Sequence, residues 1–199
     1  MRKVILRAAV AACLALPAAY VQAQPATAPR TGAPMGASGG TQQLSAQDFV
    51  NQAAVSGMFE IQSSKLVLGK LKGGKRARGD AAAGQGGNDQ VRDFAQRMVQ
   101  DHTQADKQLK SVLKEANVKV KPPKKLDAQH RQLLQQLKSA KGDQLARDYA
   151  NIQVQAHQDA VTLFESYAQN GDNAQLKQFA QQTLPTLQEH LRMAQQLSK

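Results

Sequence analysis

The chain has 199 residues, enough for one compact domain with its own core and too few for most two-domain enzymes. Its 26 Lys and Arg against 15 Asp and Glu give a formal charge of +11, which at first suggests a nucleic-acid or anionic partner. Aromatic residues make up only 4%, which argues against base-stacking surfaces, and few β-branched residues favour helices over sheets. One helical domain is therefore expected, without nucleic acid as a partner.

The N-terminal segment has the pattern of a secretory signal peptide. Three basic residues precede an apolar run from Ala8 to Val21, and small residues occupy the expected cleavage position. This run is shorter than the about 20 apolar residues of a membrane-spanning helix. We therefore expect cleavage of residues 1–23 after Ala23. The mature chain would have no transmembrane span and would be periplasmic, either free or associated with the outer membrane.

The single cysteine, Cys13, lies inside this signal segment. Its removal would leave a mature chain with neither a disulfide nor a thiol nucleophile. In the alternative interpretation, residues 10–13 form a lipoprotein cleavage box and Cys13 carries a lipid.

The mature chain begins with a segment that has almost nothing to bury. Residues 24–44 contain mostly Pro, Ala, Gly, Thr and Ser, which predicts a flexible linker. The helical domain is expected over residues 45–199. Its first helix has Ser45 as N-cap and ends near residue 71, and residues 72–88 form a basic, Gly-rich loop.

Three helices are predicted in the next part of the chain. The second long helix covers residues 89–117, and a short helix capped by Asp127 extends to residue 141. Gly142 separates this short helix from a third long helix, which is predicted over residues 143–170.

The last long helix is predicted over residues 172–197, after Gly171 caps the end of the third. Pro185 lies inside it and removes one backbone hydrogen bond, so we expect a bend there. Together these elements predict an all-α fold. It is a four-helix bundle with a short extra helix in the connection between the second and third long helices.

Each long helix carries one residue with metal-ligand chemistry on its apolar stripe. The stripes repeat in steps of three and four residues, so these residues face the interior at similar heights. They are Glu60, His102, His157 and His190. One carboxylate and three imidazoles suit Zn, Cu or Fe, and Met98 and Met193 on the faces of two of the histidines favour Cu.

A metal-free interpretation stays open. In it, a polar core network uses Asp101, Asp106 and Asp159 to orient neutral imidazoles. His130 shows that a histidine can lie on an apolar stripe without belonging to the set, because it is on the short helix. A di-iron oxidase is disfavoured, since the residues three before the other histidines are apolar where such sites need Glu.

Nucleophilic catalysis has no candidate in the sequence. There is no Gly-x-Ser-x-Gly elbow, no phosphate-binding loop and no cysteine after residue 23. His102 and Asp106 have the four-residue spacing of an acid–base pair on one helix face, although a solvated pair is the preferred interpretation. We therefore expect a protein without enzymatic activity.

Four stretches of the domain carry a recognisable pattern. They are Phe49–Ala54 with Gly57 and Glu60, Val91–Met98 followed by Asp101–Thr103, Tyr149 with His157, Val161 and Leu163–Glu165, and Leu184–Leu187 with His190, Leu191 and Ala194. Together they resemble the bacterial domain-of-unknown-function family 4142, over about Leu44 to Leu197. The resemblance implies a ferritin-like helical bundle in the cell envelope, often labelled an outer-membrane protein, with no settled activity. The family-type positions it implies are Glu60, Asp101, His102, His157 and His190.

The positive charge belongs mainly to the connections and their edges. The basic residues expected to contact anionic envelope material, such as phospholipid headgroups or acidic polysaccharide, are Lys70, Lys72, Lys75, Arg76, Arg78, Lys119, Lys121, Lys124 and Lys125. Two functions are then in view. The preferred one is a non-enzymatic stress or envelope-interaction protein of the periplasm. The alternative is a bundle that binds or stores a transition metal (Cu, Zn or Fe) through the interior Glu and His cluster.

Overall fold

The structure, a computed structural model, describes residues 43–73, 85–115 and 117–199. Within these residues it is all-helical, with five helices and no strand. The helices are α1 (Ala46–Gly73), α2 (Gln85–Glu115), α3 (Ala128–Ser139), α4 (Gly142–Asn170) and α5 (Ala174–Leu197). The predicted signal peptide, nearly all of the linker and most of the basic loop lie outside the described residues. None of the described helices is long and apolar enough to cross a membrane.

Side-chain caps mark three helix starts. The Ser45 Oγ accepts the Asp48 N–H at 3.2 Å, and Asp127 accepts the His130 N–H at 2.8 Å, so both predicted N-caps are confirmed. The cap of α5 is Asn173, which accepts the Leu176 N–H at 3.0 Å. The prediction that α5 starts at residue 172 was therefore two residues early.

Asn117 sets the end of α2. Asn117 has φ of 50°, the left-handed region that Asn tolerates better than most residues. The Val118 N–H donates to the Leu113 carbonyl at 3.1 Å, and the Asn117 N–H donates to the Lys114 carbonyl at 3.3 Å. This pair of bonds is a Schellman ending, and it closes the helix two residues before the predicted end.

The predicted loop over residues 72–88 was too long. Helix α1 continues to Gly73, and α2 already begins at Gln85. Gly86 and Gly87, which contribute to the prediction of a loop, lie in the first turn of α2. Glycine keeps its backbone N–H, and its cost in a helix is conformational entropy, so helix formation can extend to these residues from the more stable middle of α2.

Two glycines act differently at the ends of α4. Gly142 opens the helix with φ of +52°, which confirms the predicted break after α3. Gly171 caps the other end as predicted, but with φ of −62° it does not need glycine for its backbone. A Cβ at Gly171 would lie 2.6 Å from the ring of Tyr167, so the close approach of that ring requires the glycine.

The four long helices enclose the core. Helix α1 packs along α2, α2 along α5, α5 along α4 and α4 along α1, while α3 covers α1 and α4. Buried apolar residues form two clusters. The first cluster includes Phe59, Met98, Leu137, Tyr149 and Ala194, and the second includes Phe49, Leu109, Phe164, Phe179 and Leu187. On α2, α4 and α5 one histidine separates residues of the first cluster from residues of the second.

Candidate metal site

Three histidines from three helices meet in the interior. His102 of α2, His157 of α4 and His190 of α5 each offer a ring nitrogen within 4.8 Å of the others. Their ring centroids are 5.3–5.6 Å apart. The residues are only 6%, 1% and 1% exposed. The apolar steps of three and four residues thus bring the three predicted histidines together.

The ring of His157 is held by its own helix. Its Nδ1 lies 2.9 Å from the carbonyl oxygen of Gln153, one turn earlier on α4. A carbonyl only accepts, so Nδ1 carries the proton and Nε2 carries a free lone pair. That Nε2 is buried and makes no hydrogen bond to any described residue.

The ring of His190 is held across the helix interface. Its Nε2 lies 2.9 Å from the carboxylate Oδ2 of Asp101 on α2, and the same oxygen is 3.4 Å from the Nε of Arg97. With Nε2 donating to the carboxylate, Nδ1 carries the lone pair. Nδ1 is buried without a partner in the described chain. A carbonyl or carboxylate that orients a histidine in this way is typical of metal-binding imidazoles.

His102 completes the group, with a buried Nε2 that has no hydrogen bond within the described residues. Burial lowers the pKa of His102 well below its usual value, with smaller contributions from His157 and His190. Burial also lowers the pKa of His157 to about 4. It lowers the pKa of His190 as well, although the Asp101 carboxylate opposes that shift. All three imidazoles are therefore neutral at pH 7, the form that binds metals.

The donor set fits a transition metal. Three buried nitrogens without hydrogen bonds are costly to the fold, and an ion would satisfy all of them at once. When imidazoles bind a tetrahedral zinc, their ligand nitrogens are about 3.3 Å apart, since Zn–N bonds are about 2.0–2.1 Å. Nitrogens within 4.8 Å of one another can reach that spacing by small side-chain rotations. The buried His102, His157 and His190 cluster could thus hold a metal ion.

Glu60 is buried but does not belong to this group. It lies on α1, is 1% exposed, and neither of its carboxylate oxygens has a described hydrogen-bond partner. Burial raises the pKa of Glu60 to about 8, and the nearby amide of Gln153 lowers it by less without forming a hydrogen bond. Burial raises the pKa of Tyr149 well above its usual value, and the Glu60 carboxylate adds to that rise. The Tyr149 hydroxyl pairs with that of Ser64 at 2.7 Å. Of the predicted four residues, the structure brings together the three histidines.

The two methionines predicted to lie near the histidines, Met98 and Met193, have different surroundings from each other. Met98 is fully buried in the first core cluster. The Sδ of Met193 accepts a hydrogen bond from Arg97 at 3.7 Å. The preference for copper that was drawn from these two sulfurs stays a prediction.

The predicted carboxylate network is present at one of its three positions. Asp101 orients His190, whereas Asp106 pairs with Lys110 at 2.6 Å and Asp159 accepts from Gln155 at 2.8 Å. His130 lies apart from the group, bound to Asp127 at 2.8 Å and tilted against Phe59.

One member of the predicted anionic-contact set belongs to the fold. The Nζ of Lys70 donates to the carbonyls of Leu137 and Ala140 at 3.0 and 2.6 Å, and also to that of Lys138. Lys70 therefore closes the end of α3, where a cation is stabilised by the helix dipole. Its contact with an anionic surface stays a prediction. Lys119, Lys121, Lys124 and Lys125 are exposed. The side chains of Lys72, Lys75, Arg76 and Arg78 lie outside the described residues.

Sequence reasoning missed Gln153. It is fully buried, contributes the carbonyl that holds His157, and places an unpaired amide beside Glu60. The sequence indicates that Gln153 faces the interior, because it lies one turn before His157 and one turn after Tyr149, and directly follows the apolar Ile152. A polar residue at such a position is expected to face the interior.

The fold and the site define an all-helical protein with a buried histidine cluster that could hold a metal. The chain belongs to the family described as Domain of unknown function (DUF4142), whose match covers residues 75–197. That match includes the three histidines and begins after α1, so Glu60 lies outside it. The expected family is confirmed, although the resemblance had been drawn from about Leu44. Comparison with curated proteins and with solved structures gives no match.

Proposed function

We propose that this protein is a ferritin-like four-helix bundle that binds one ion of the copper, zinc or iron class through His102, His157 and His190. The four long helices each pack on two neighbours and close a ring, which supports the bundle architecture. Helix α3 is the short extra element between the second and third long helices.

One observation carries this proposal. Three neutral imidazoles converge, and each has a buried ring nitrogen without a hydrogen-bond partner among the described residues. Two of the rings are fixed through their other nitrogen. A purely structural histidine would be expected to use both ring nitrogens for hydrogen bonds when it is this deeply buried. Imidazole donors suit Zn, Cu and Fe ions in particular.

The residues around the histidines have different roles at the proposed metal site. Asp101 and the Gln153 carbonyl orient two imidazoles, and Asp101 places a negative charge behind His190 to balance part of the ion's charge. The apolar residues of both clusters exclude bulk water from the group. A bound ion would supply Lewis-acid or redox chemistry, according to its identity. The expectation of a non-enzymatic protein stays a prediction.

Metal binding by the untagged chain tests the proposal. The protein is stripped with a chelator and titrated separately with Zn²⁺, Cu⁺ and Fe²⁺, with circular dichroism to follow helical content. We expect one ion per chain for at least one of these metals, and at least a tenfold loss of affinity in H157Q. The matched control is H130Q, which changes the fourth histidine outside the group. Equal affinity in H157Q and the parent chain, or no uptake of any of the three ions, would contradict the proposal.

A second candidate function, contact with anionic lipid, is supported by a groove between α1, α2 and the connection that follows α2. The groove has a volume of about 660 Å³. Met58, Ile61 and Val120 form part of its apolar wall, and four lysines border it. These lysines are Lys110, Lys114, Lys121 and Lys124. A cationic rim over an apolar wall suits an anionic headgroup with its acyl chain.

Vesicle binding tests this second function. Neutralising Lys114, Lys121 and Lys124 to Gln should weaken binding to phosphatidylglycerol vesicles at least fivefold, while binding to phosphatidylcholine vesicles stays low. The control neutralises Lys107, Lys138 and Lys199, three exposed lysines away from the groove. Equal loss in both triple variants would mean that only net charge matters and would remove the groove from the account.

The proposed location is the periplasm, supported by the signal-peptide pattern of residues 1–23. N-terminal sequencing of the protein recovered from a periplasmic extract should begin at Gln24. An unprocessed chain in the cytosolic fraction would contradict the periplasmic location. A lipid on Cys13 would contradict cleavage after Ala23.

A further inference from the structure

A small chamber lies directly beside the histidine layer. Its volume is about 40 Å³, and its walls come from all four long helices, with His102 as one of the lining residues. A cavity of this size holds roughly one to three water-sized groups. It is therefore too small for an organic cofactor and large enough for a ligand of two or three heavy atoms.

The register of the helices places the chamber one turn from the buried polar residues. Its lining includes Gly57, three residues before Glu60, and Ala105, three residues after His102. It also includes the residues three after His157 and three before His190, which are Ala160 and Leu187. Three residues correspond to about 4.5 Å along a helix. The chamber is thus the next layer of the interior, on the same side of the histidine group in all four helices.

Small side chains keep this chamber open. A Cβ at Gly57 would meet no atom within 4 Å, so no close packing requires glycine there. Glycine inside a helix is less favourable than alanine, and α1 has it at a position where a larger residue would fit. Ala53, Ala105 and Ala160 add to the open volume. The wall also includes Asp106, whose side chain is 36% exposed and marks where the chamber approaches solvent.

His102 connects the chamber to the proposed metal site. It lines the chamber, is only 6% exposed, and has a buried Nε2 without a hydrogen-bond partner among the described residues, which is its donor to the proposed ion. Three protein ligands leave a transition metal with at least one further coordination position, as in open catalytic sites. The mainly apolar walls disfavour an ionic ligand and favour a neutral one.

We infer that the metal held by the three histidines keeps a coordination position open to this chamber and binds there a neutral molecule of two heavy atoms, of the dioxygen class. The inference rests on the proposed function and deepens it. The protein would then bind a small gas molecule at its metal ion. A protein that only stored the metal would not need the chamber.

Carbon monoxide on the copper(I)-loaded protein tests this inference, because it is neutral, diatomic and not reduced or oxidised on binding. The C–O stretch in the infrared reports a carbonyl bound to copper(I). We expect saturable binding of one carbon monoxide per copper. G57L, which extends a side chain into the chamber, should weaken this binding at least tenfold without lowering the copper content. G69L is the matched control, since Gly69 is on the same helix, is exposed, and also has space for a Cβ.

G57A serves as the milder variant if G57L does not fold, and it should give an intermediate loss. Copper-loaded protein without a bound carbonyl, or carbonyl binding unchanged in both Gly57 variants, would overturn the inference and leave the proposed function standing. The same holds if zinc is taken up but copper(I) is not. Uptake of none of the tested metals would overturn both.

Discussion

The Nε2 of His190 and the Oδ2 of Asp101 lie 2.9 Å apart across the α2–α5 interface. The imidazole is 1% exposed and the carboxylate 27%, so this pair links the buried histidine group to the protein surface. Because Asp101 accepts the hydrogen bond from the Nε2–H of His190, the lone pair is on Nδ1, which faces the interior of the protein.

Replacing Asp101 therefore should weaken metal binding without removing a ligand. In D101A the ring of His190 loses its fixed orientation, and we expect a 10- to 100-fold loss of metal affinity, the usual effect of such partners. D93A is the control, because Asp93 is an exposed carboxylate on the same helix. Competition with a chromophoric chelator measures both. Equal affinities in the two variants would show that Asp101 does not support a metal ligand.

Glu60 should make the fold less stable as pH rises. Its pKa is about 8 in the folded protein and 4.5 in the unfolded chain. The contribution of Glu60 to stability is therefore full below pH 4.5, falls as pH rises, and is lost as pH passes 8. E60Q keeps the neutral shape at every pH. We expect it to raise the free energy of unfolding by about 3 kcal/mol at pH 7 and by almost nothing at pH 4.

Urea denaturation of metal-free protein between pH 4 and 8 measures this difference. E115Q is the control, since Glu115 is exposed. A constant difference between E60Q and the parent chain across this range would contradict a buried, protonated Glu60.

The buried histidines should make the metal-free protein sensitive to acid. The pKa of His157 is about 4 when folded and 6.5 when unfolded, so the unfolded chain binds a proton that the folded protein excludes between these values. Stability is complete above pH 6.5 and falls as pH decreases towards 4. His157 alone contributes a loss of about 3 kcal/mol, with His102 and His190 acting in the same direction.

Imidazole proton resonances followed by NMR test this directly. We expect the resonance of His157 to stay in its neutral position down to about pH 5 in the folded protein. Titration of His157 near pH 6.5 in a chain that is still folded would be inconsistent with its burial.

Gly171 and Gly69 should respond to alanine with opposite signs. At Gly171 a Cβ would lie 2.6 Å from the ring of Tyr167, which stacks on Phe49 at 4.0 Å and donates to Asp172. G171A should therefore lower the free energy of unfolding by about 1–3 kcal/mol. At Gly69, in the interior of α1 and with open space around it, alanine should raise it by up to about 1 kcal/mol. Thermal denaturation of both variants measures the signs, and a stabilising G171A would show that the ring can move at no cost.

The sequence contained most of what places the histidines. Apolar spacing identified the buried faces of all four long helices, and the caps at Ser45 and Asp127 were evident from residue type. The interior positions of His102, His157 and His190 follow from that spacing alone. Periodicity also placed Glu60 in the interior, but it could not show that this carboxylate lies apart from the histidine group, because the rotation and axial shift of α1 depend on tertiary packing.

Other features depend on contacts between distant residues. Lys70 looks like a surface cation in sequence, and only the position of α3 beside α1 turns its ammonium towards carbonyls 67 to 70 residues away. The role of Gly171 comes from the ring of Tyr167 and not from a backbone angle. The chamber is likewise invisible along the chain, since it needs small residues of several helices to meet in one layer.

X-ray absorption at the zinc edge of the one-to-one zinc complex measures most directly whether three imidazoles bind one metal ion in the protein interior, because imidazole ligands give a recognisable outer-shell scattering pattern. We predict three imidazole nitrogens at about 2.0–2.1 Å and the loss of one of them in H157Q. A zinc ion bound only by oxygen, or an identical spectrum in H157Q, would contradict it.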